Sequence, residues 1–485
     1  MSKTLHSLIR SLQKAEKRSV KIAAGKEEKS FMKVYEVLEK MPEYDEKKFR
    51  AAFPSLSSSA LSKAKETVQQ HILKVLHHSH YHEHEEIQLL DAITKAQIVK
   101  LKGQNELAME MIVALKPELA LMERNALLIY VQQLEIEIIR LRYLKDVSLK
   151  DFERKYGELF EIIARTENLA RYRQTTHSSQ LIRSRYGATG RIGEYEKYMA
   201  KQAVMLRFKN KAEARSLLAL DQFYIFWFWY YEMKGDMLQQ TEIIRQWKED
   251  AEKHKAFLKK FPNRYYYILY QLGVLASAQQ NDTLLHEAVK GLSTSISKTD
   301  EVEYERLVYL FSVQANSLFI SGNYTRFTEL KPIYDTIRND YTDFLNAERD
   351  IYMQKQLAVS YLLSLDFSTA LNYINEVMNR YPKLVFGMLA QFRVMSMLCH
   401  IGLKNYLVLE NLCRAFQYFV KGKSNLSATE RLIIKFVQQV ERNNTANGIQ
   451  SVIDKFLPEF KKLKEEQDYF FVPLFVEKIR PAQPA

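Results

Sequence analysis

The chain has 485 residues, 47% hydrophobic and 27% charged, long enough to bury a large core or one extended core shared by stacked units. Only 14 Gly and 10 Pro interrupt it, which favours long helices and speaks against a β-rich fold. Its formal net charge of +13 comes from 71 basic and 58 acidic residues: most charges read as solvated helix faces, with a basic surplus that an acidic partner or a nucleic acid would meet.

Two cysteines, Cys399 and Cys413, suit no metal spacing and point to a reducing compartment. Met1–Lys26 lacks a continuous apolar stretch of the kind a secretory signal needs, and no apolar run is long enough to span a membrane. The expected location is the cytoplasm.

Lys3 to Ala24 reads as one amphipathic helix with Leu5, Leu8, Ile9, Leu12 and Ile22 inward. Lys29 to Met41 gives a second, using Phe31, Val34, Tyr35 and Leu38. Asp45 is placed to start a short third helix, and the Ser57–Ser59 cluster opens a fourth that runs to about His78. Residues 1–80 carry 16 Lys and Arg against 9 Asp and Glu. This segment reads as a helical cap on the array that follows, with a helix-turn-helix variant as the alternative.

The stretch "HILKVLHHSHYHEHEE" is the densest cluster of ligand-type side chains. On a helix, His77, His80 and His84 share a face, as metal-binding spacing requires. A metal site also needs partners that orient its ligands, so the plainer expectation is an exposed, histidine-biased junction without metal. From Leu89 to Arg142 two or three helices follow, turning at Gly103–Asn105 and closing at Pro117.

Residues 165–215 hold twelve Lys and Arg against four Glu. Tyr172, Tyr186, Tyr195 and Tyr198 are interleaved as stacking platforms for nucleic acid would be, and Arg183, Arg185 and Arg191 are candidate contacts to an anionic partner. The glycines of "RYGATGRIG" follow no strand and lack the Gly-Lys-Ser/Thr ending, so they read as an interhelix loop.

From about Ala212 to Glu441 a hairpin pattern recurs. Trp227 and Tyr231 precede a turn at Gly235-Asp236, and Trp247 follows it. Further turns fall near Asn281, Asn323, Asp366 and Asn405, and the residues taken just after the five turns (Met237, Thr283, Tyr324, Phe367 and Tyr406) are 39 to 46 apart. Pro262 and Pro382 are expected to close B helices, and Pro332 to lie in a first turn or kink its helix. Ser427 or Thr429 is a candidate N-cap for a further helix, and the segment from Lys455 to Arg480 should cover the apolar face of the last repeat.

The clearest hairpin is "LAVSYLLSLDFSTALNYINEVMNRYP". Its residues Leu357, Ala358, Tyr361, Ala370, Ile374 and Pro382 fall where tetratricopeptide repeats place their Leu, Gly, Tyr, Ala, Phe and Pro, with Gln354 in place of Trp, and Val377 continues the apolar helical spacing. The segment resembles a tetratricopeptide unit. Over most of its length, carried by "LIRSLQKAEKRSVKIAA", "FMKVYEVLEKMPEYDEKKFRAAFP" and "GLKNYLVLENLCRAFQYFVKGK", the chain resembles a group of bacterial tetratricopeptide-like proteins with no established activity. The resemblance implies an all-α fold: a helical-hairpin superhelix (α-solenoid) with an N-terminal helical cap. The expected divisions are 1–88, a helical cap; 89–211, hairpins and the basic connector; 212–441, the repeat array; and 442–485, a capping segment.

Such a superhelix offers a concave groove to a peptide or a partner helix. No catalytic spacing stands out and no cofactor is implied. The expected function is a non-catalytic protein–protein interaction scaffold. The alternative is a nucleic-acid-binding or regulatory protein using the N-terminal helices and the 165–215 region.

Overall fold

The computed structural model describes residues 2–24, 29–81, 85–142, 148–186, 208–294, 299–381, 386–421, 428–462 and 469–480. Among the described residues the regular structure is helical throughout, with no strand, and no helix is long and apolar enough to cross a membrane. The chain divides into two compact units, Met1–Thr175 with Leu206–Gln222 and Thr176–Met205 with Phe223–Ala485.

The first unit opens with α1 (Ser2–Ser11), α2 (Lys14–Ala23), α3 (Lys29–Lys40), α4 (Glu46–Ala51) and α5 (Ser58–His80). The single helix expected over Lys3–Ala24 is broken. The backbone of Gln13 is extended and its N–H donates to the Glu16 carboxylate at 2.7 Å, starting α2 afresh. The break rotates α2, so Val20 faces the core and Ile22 stands 68% exposed. Phe31, Val34, Tyr35 and Leu38 of α3 are all buried, at the spacing the sequence shows. Asp45 accepts the N–H groups of Lys47 and Lys48, and Ser57 that of Ala60, so both expected caps are in place. Two histidines tie the bundle: His6 Nε2 donates to the Met41 carbonyl and His71 Nε2 to that of Val20, both at 2.9 Å.

Next come α6 (Glu85–Leu101), α7 (Asn105–Leu121), α8 (Asn125–Arg142) and the long α9 (Leu149–Tyr186). Helix α6 packs on α7, and α7 on α8. Pro117 does not close this hairpin. It lies inside α7, and the turn comes after Leu121, at Glu123 with φ 49°. The Glu123 carboxylate accepts the N–H groups of Leu217 and Leu218 at 2.6 and 2.8 Å, placing a negative charge on a helix N-terminus. Glu135, buried on α8, pairs with Lys116 of α7 and Lys155 of α9 at 2.6 and 2.8 Å.

The second unit is built from α10 (Leu217–Lys234, which begins in the first unit), α11 (Met237–Glu252), α12 (Lys255–Lys260), α13 (Pro262–Ala278), α14 (Asp282–Ser293), α15 (Asp300–Ile320), α16 (Lys331–Asp340), α17 (Ala347–Leu363), α18 (Phe367–Arg380), α19 (Phe386–Gly402), α20 (Tyr406–Lys421), α21 (Ala428–Arg442), α22 (Ala446–Lys462) and α23 (Phe471–Lys478). Pro262 does not close a B helix: it opens α13, where a missing N–H breaks no helical bond. Pro332 takes the same first-turn position in α16. Thr429 lies inside α21 rather than capping it, and Pro382 and Ser427 lie outside the described residues.

Helices that precede a turn and helices that follow one are buried differently. From Arg264 to Ser277, Val302 to Phe319, Arg349 to Leu363 and Met388 to Gly402, no residue is exposed. These four helices are apolar on nearly every side because each is covered on nearly every side. Their partners keep a solvated face: on α18, Ser368, Asn372, Asn375 and Asn379 recur at helical spacing on the exposed side, while Ala370, Ile374 and Val377 are buried. Small residues sit eight positions before the turns, at Gly273, Ala315 and Ala358, where helices cross closely. A Cβ on Gly273 would stand 2.6 Å from Val313 and 3.3 Å from Ala288.

Candidate interaction surface

The five turns anticipated near Asp236, Asn281, Asn323, Asp366 and Asn405 share one geometry. Each follows a residue at positive φ: Gly235, Gln280, Gly322, Leu365 or Lys404. In each, the backbone N–H of the Asp or Asn donates to the carbonyl five residues back, on Tyr231, Ala276, Leu318, Tyr361 or His400, at 2.8 to 3.0 Å. The side chains of Asp236, Asn281 and Asp366 then cap the following helix by accepting the N–H of Gln239, Leu284 and Thr369. One local device thus ends one helix and starts the next, so whatever residue follows the turn emerges at the same edge of each hairpin.

In the last three of these hairpins that residue is aromatic: Tyr324, Phe367 and Tyr406. In the first two it is Met237 and Asp282. The Phe367 ring rests directly on Gly402, where a Cβ would fall within 2.2 to 2.5 Å of three ring atoms. Segment 469–480 lies against this edge. The Phe470 ring meets Phe319 edge-on at 4.5 Å and Tyr324 at 5.6 Å, and the Phe475 ring meets Phe367 at 6.1 Å. Phe471, Val472, Phe475 and Val476 of α23 are fully buried against α17 and α22. The segment therefore does more than cap the last repeat; it runs back to side chains two hairpins earlier. Among its polar ties, Tyr469 donates to Glu430 at 2.8 Å, and Lys461–Glu477 and Arg480–Asp454 are exposed pairs, which stabilise little. Two cavities flank it, one of about 430 Å3 beside Phe367, Gly402 and Tyr406, and one of about 460 Å3 beside Tyr324, Thr429 and Phe470.

Leu357, Ala358, Ala370, Ile374 and Val377 are fully buried within one apolar cluster. Tyr361 is half-buried and stacks on Tyr373 at 5.7 Å. Trp227 and Tyr231 are half-buried and stack on each other at 5.7 Å, whereas Trp247 is buried and stacks on Tyr224 at 6.0 Å. His77 and the neighbouring His78 are exposed; His84 and the side chain of His80 lie outside the described residues. Among the described residues, no group of three His, Cys, Asp or Glu is placed to hold a metal ion. Arg191 lies outside the described residues, and so do the side chains of Arg183 and Arg185. Tyr172 is no stacking platform. It is fully buried, its ring 4.6 Å from Phe208.

Asp350 is a buried acid that joins three helices of the array. It accepts from the Tyr334 and Tyr381 hydroxyls at 2.9 and 2.5 Å and lies 3.4 Å from Arg380. Burial, helped by the bond to Asp350 and its charge, pushes Tyr381 up to about 12. Burial also pushes the Cys399 thiol up to about 12 and that of Cys413 to about 11, which keeps both protonated and weakly nucleophilic near neutral pH. These groups hold helices together. The aromatic edge and Gly402 were not anticipated from sequence; an aromatic directly after the Asp or Asn of three successive turns is the signal that marks them.

No protein-family model, curated protein or solved structure matches the chain.

Proposed function

We propose that the chain is a non-catalytic interaction scaffold of the cytoplasm: an α-solenoid of tetratricopeptide-like hairpins that holds a peptide or short helix of a partner protein in its groove. One observation carries this reading. The hairpin array already binds a short apolar helix, α23, through side chains supplied by successive hairpins. A surface repeated at three successive turns suits an extended ligand, which it can grip at several points. The test is affinity capture at native salt, with and without nuclease, followed by cross-linking. The reading expects a nuclease-insensitive partner cross-linked to hairpin residues such as Lys404. Loss of every partner on nuclease treatment would contradict it.

A second reading, nucleic-acid binding or regulation, is favoured by the exposed basic residues of the first helices, among them Lys14, Arg18, Lys33, Lys47, Lys48 and Lys63. A titration at two salt concentrations separates the two. Phosphate contacts give a log–log slope of about −0.9 each on duplex DNA. Submicromolar binding that survives the higher salt, with a slope flattened by replacing Arg183, Arg185 and Arg191 with Ala, would establish the second reading.

A further inference from the structure

Resting on the scaffold reading, we propose that the edge formed by Tyr324, Phe367 and Tyr406 is the docking site for a partner's short helix carrying three spaced aromatic side chains. Segment 469–480 is its resident competitor.

The registers of edge and segment match over two hairpins and part at the third. Phe470 covers Tyr324 and Phe475, five residues on, covers Phe367. Beside Tyr406 the segment offers only Lys478 and Ile479, and there the cavity of about 430 Å3 remains. An aromatic residue at the position of Ile479 would meet the third ring. An acidic residue next to it would face Lys404, which lines the same cavity. At the other flank, Thr429 lines the second cavity, with Tyr324 and Phe470 beside it. The surface therefore fits a segment of the same kind as 469–480, but bulkier at the end beside Tyr406.

The resident segment holds its place by four fully buried apolar side chains and by being tethered. A tether of a few residues gives an effective concentration on the order of millimolar, which excludes weaker free ligands. A partner gains access by filling what the segment leaves empty. The edge would thus select strong ligands and ignore weak apolar ones.

The experiment uses the full chain with a protease recognition sequence inserted within 463–468, so that cutting leaves every residue present but untethers the segment. Two fluorescein-labelled synthetic peptides of residues 467–482 are titrated by anisotropy, one native and one with Ile479→Trp. Cut protein is expected to exchange its segment for either peptide and to bind the Ile479→Trp version at least about fivefold tighter; uncut protein binds the native peptide at least about 100-fold more weakly than cut protein. Gly402→Val, which displaces the Phe367 ring, should weaken both peptides on cut protein. In the uncut chain, Ile479→Trp should raise the melting temperature by filling the cavity. The proposal is overturned by cut protein that takes up neither peptide, by loss of helicity as the segment leaves, or by a Trp peptide that binds no tighter. It is equally overturned by a lowered melting temperature for Ile479→Trp. If the peptides fail while capture still yields a nuclease-insensitive partner cross-linked to the hairpins, this docking site is wrong and the scaffold reading stands.

Discussion

Helix α19 of the second unit and the first half of α9 in the first are both rich in apolar side chains, and they spend them differently. On α19 no residue from Met388 to Gly402 is exposed, and Phe392 is fully buried. On α9, Leu159, Ile162 and Leu169 are buried, but a second stripe faces out: Leu149 is 74% exposed and Phe160 63%, with Phe152, Tyr156 and Ile163 between and beyond them. Successive rings along that stripe, Phe152 to Tyr156 and Tyr156 to Phe160, lie 5.2 and 6.2 Å apart. A helix that is apolar all round is stable at the centre of an array, where neighbours cover every face. A helix whose apolar residues have neighbours on one side only leaves a stripe that adds little to stability.

The largest expected difference comes from one residue type placed in both settings. Phe392→Ala should cost about 3–5 kcal/mol, the usual range for a buried phenylalanine. Phe160→Ala should stay within about 0.5 kcal/mol, as exposed substitutions do. Denaturant midpoints of the two variants measure this, and equal losses would show that the α9 stripe is covered in solution. Within the array, Ala370 lies fully buried where α18 packs on α17, and Ala370→Trp should overpack that contact at a cost of about 1–3 kcal/mol. An unchanged midpoint would mean that this small position is not needed for close packing.

A substitution of opposite sign sharpens the same contrast. Gln354 stands where a tetratricopeptide repeat has Trp; it is fully buried and neither amide atom finds a partner. Gln354→Met keeps the volume and removes the unpaired groups, so it should stabilise by about 1–3 kcal/mol. Destabilisation would point to a bound water that pairs the amide.

The turns were legible in the sequence and the covering of their edge was not. Asp236, Asn281, Asn323, Asp366 and Asn405 mark the turns whether the residue before them is glycine or, as at Gln280, Leu365 and Lys404, another residue held at positive φ. The Asp and Asn residues carry local information, because both types favour turns and helix starts; at Asp236, Asn281 and Asp366 the side chain caps the next helix. The break at Gln13 has a weak signature in sequence, because a Gln–Glu pair is an uncommon start signal. Pro117 lies inside α7, where an internal proline resembles a terminal one in sequence. Segment 469–480 shows itself as apolar in sequence, yet which hairpins it covers depends on contacts more than a hundred residues away, which no local pattern encodes. The array core could be read from helical spacing; the aromatic edge needed three turns superposed. The arginines singled out for an anionic partner fall where the structure describes no side chain.

The smallest effect is graded with pH. Burial pushes Tyr352 and Tyr381 up to about 12 from an ordinary value of 10.0. The neutral phenol is favoured in the fold, so this stabilisation is complete below pH 10 and is lost as pH rises through about 12. Tyrosinate absorbance and helical circular dichroism, followed together, should show ionisation of these groups only as the array opens. Titration of every tyrosine with a midpoint near pH 10 and helicity intact would contradict their burial.

The most direct measurement of the central claim, that the turn edge and segment 469–480 form one packed surface with the stacked helices, is hydrogen exchange read by mass spectrometry on the full chain and on a Phe470→Ala, Phe475→Ala variant. The expected result is faster exchange confined to residues 319–330, 363–372 and 400–408 and to the segment itself, with 105–121 unchanged. Exchange at those three turns that is the same in both proteins, or that rises equally in both units, would contradict it.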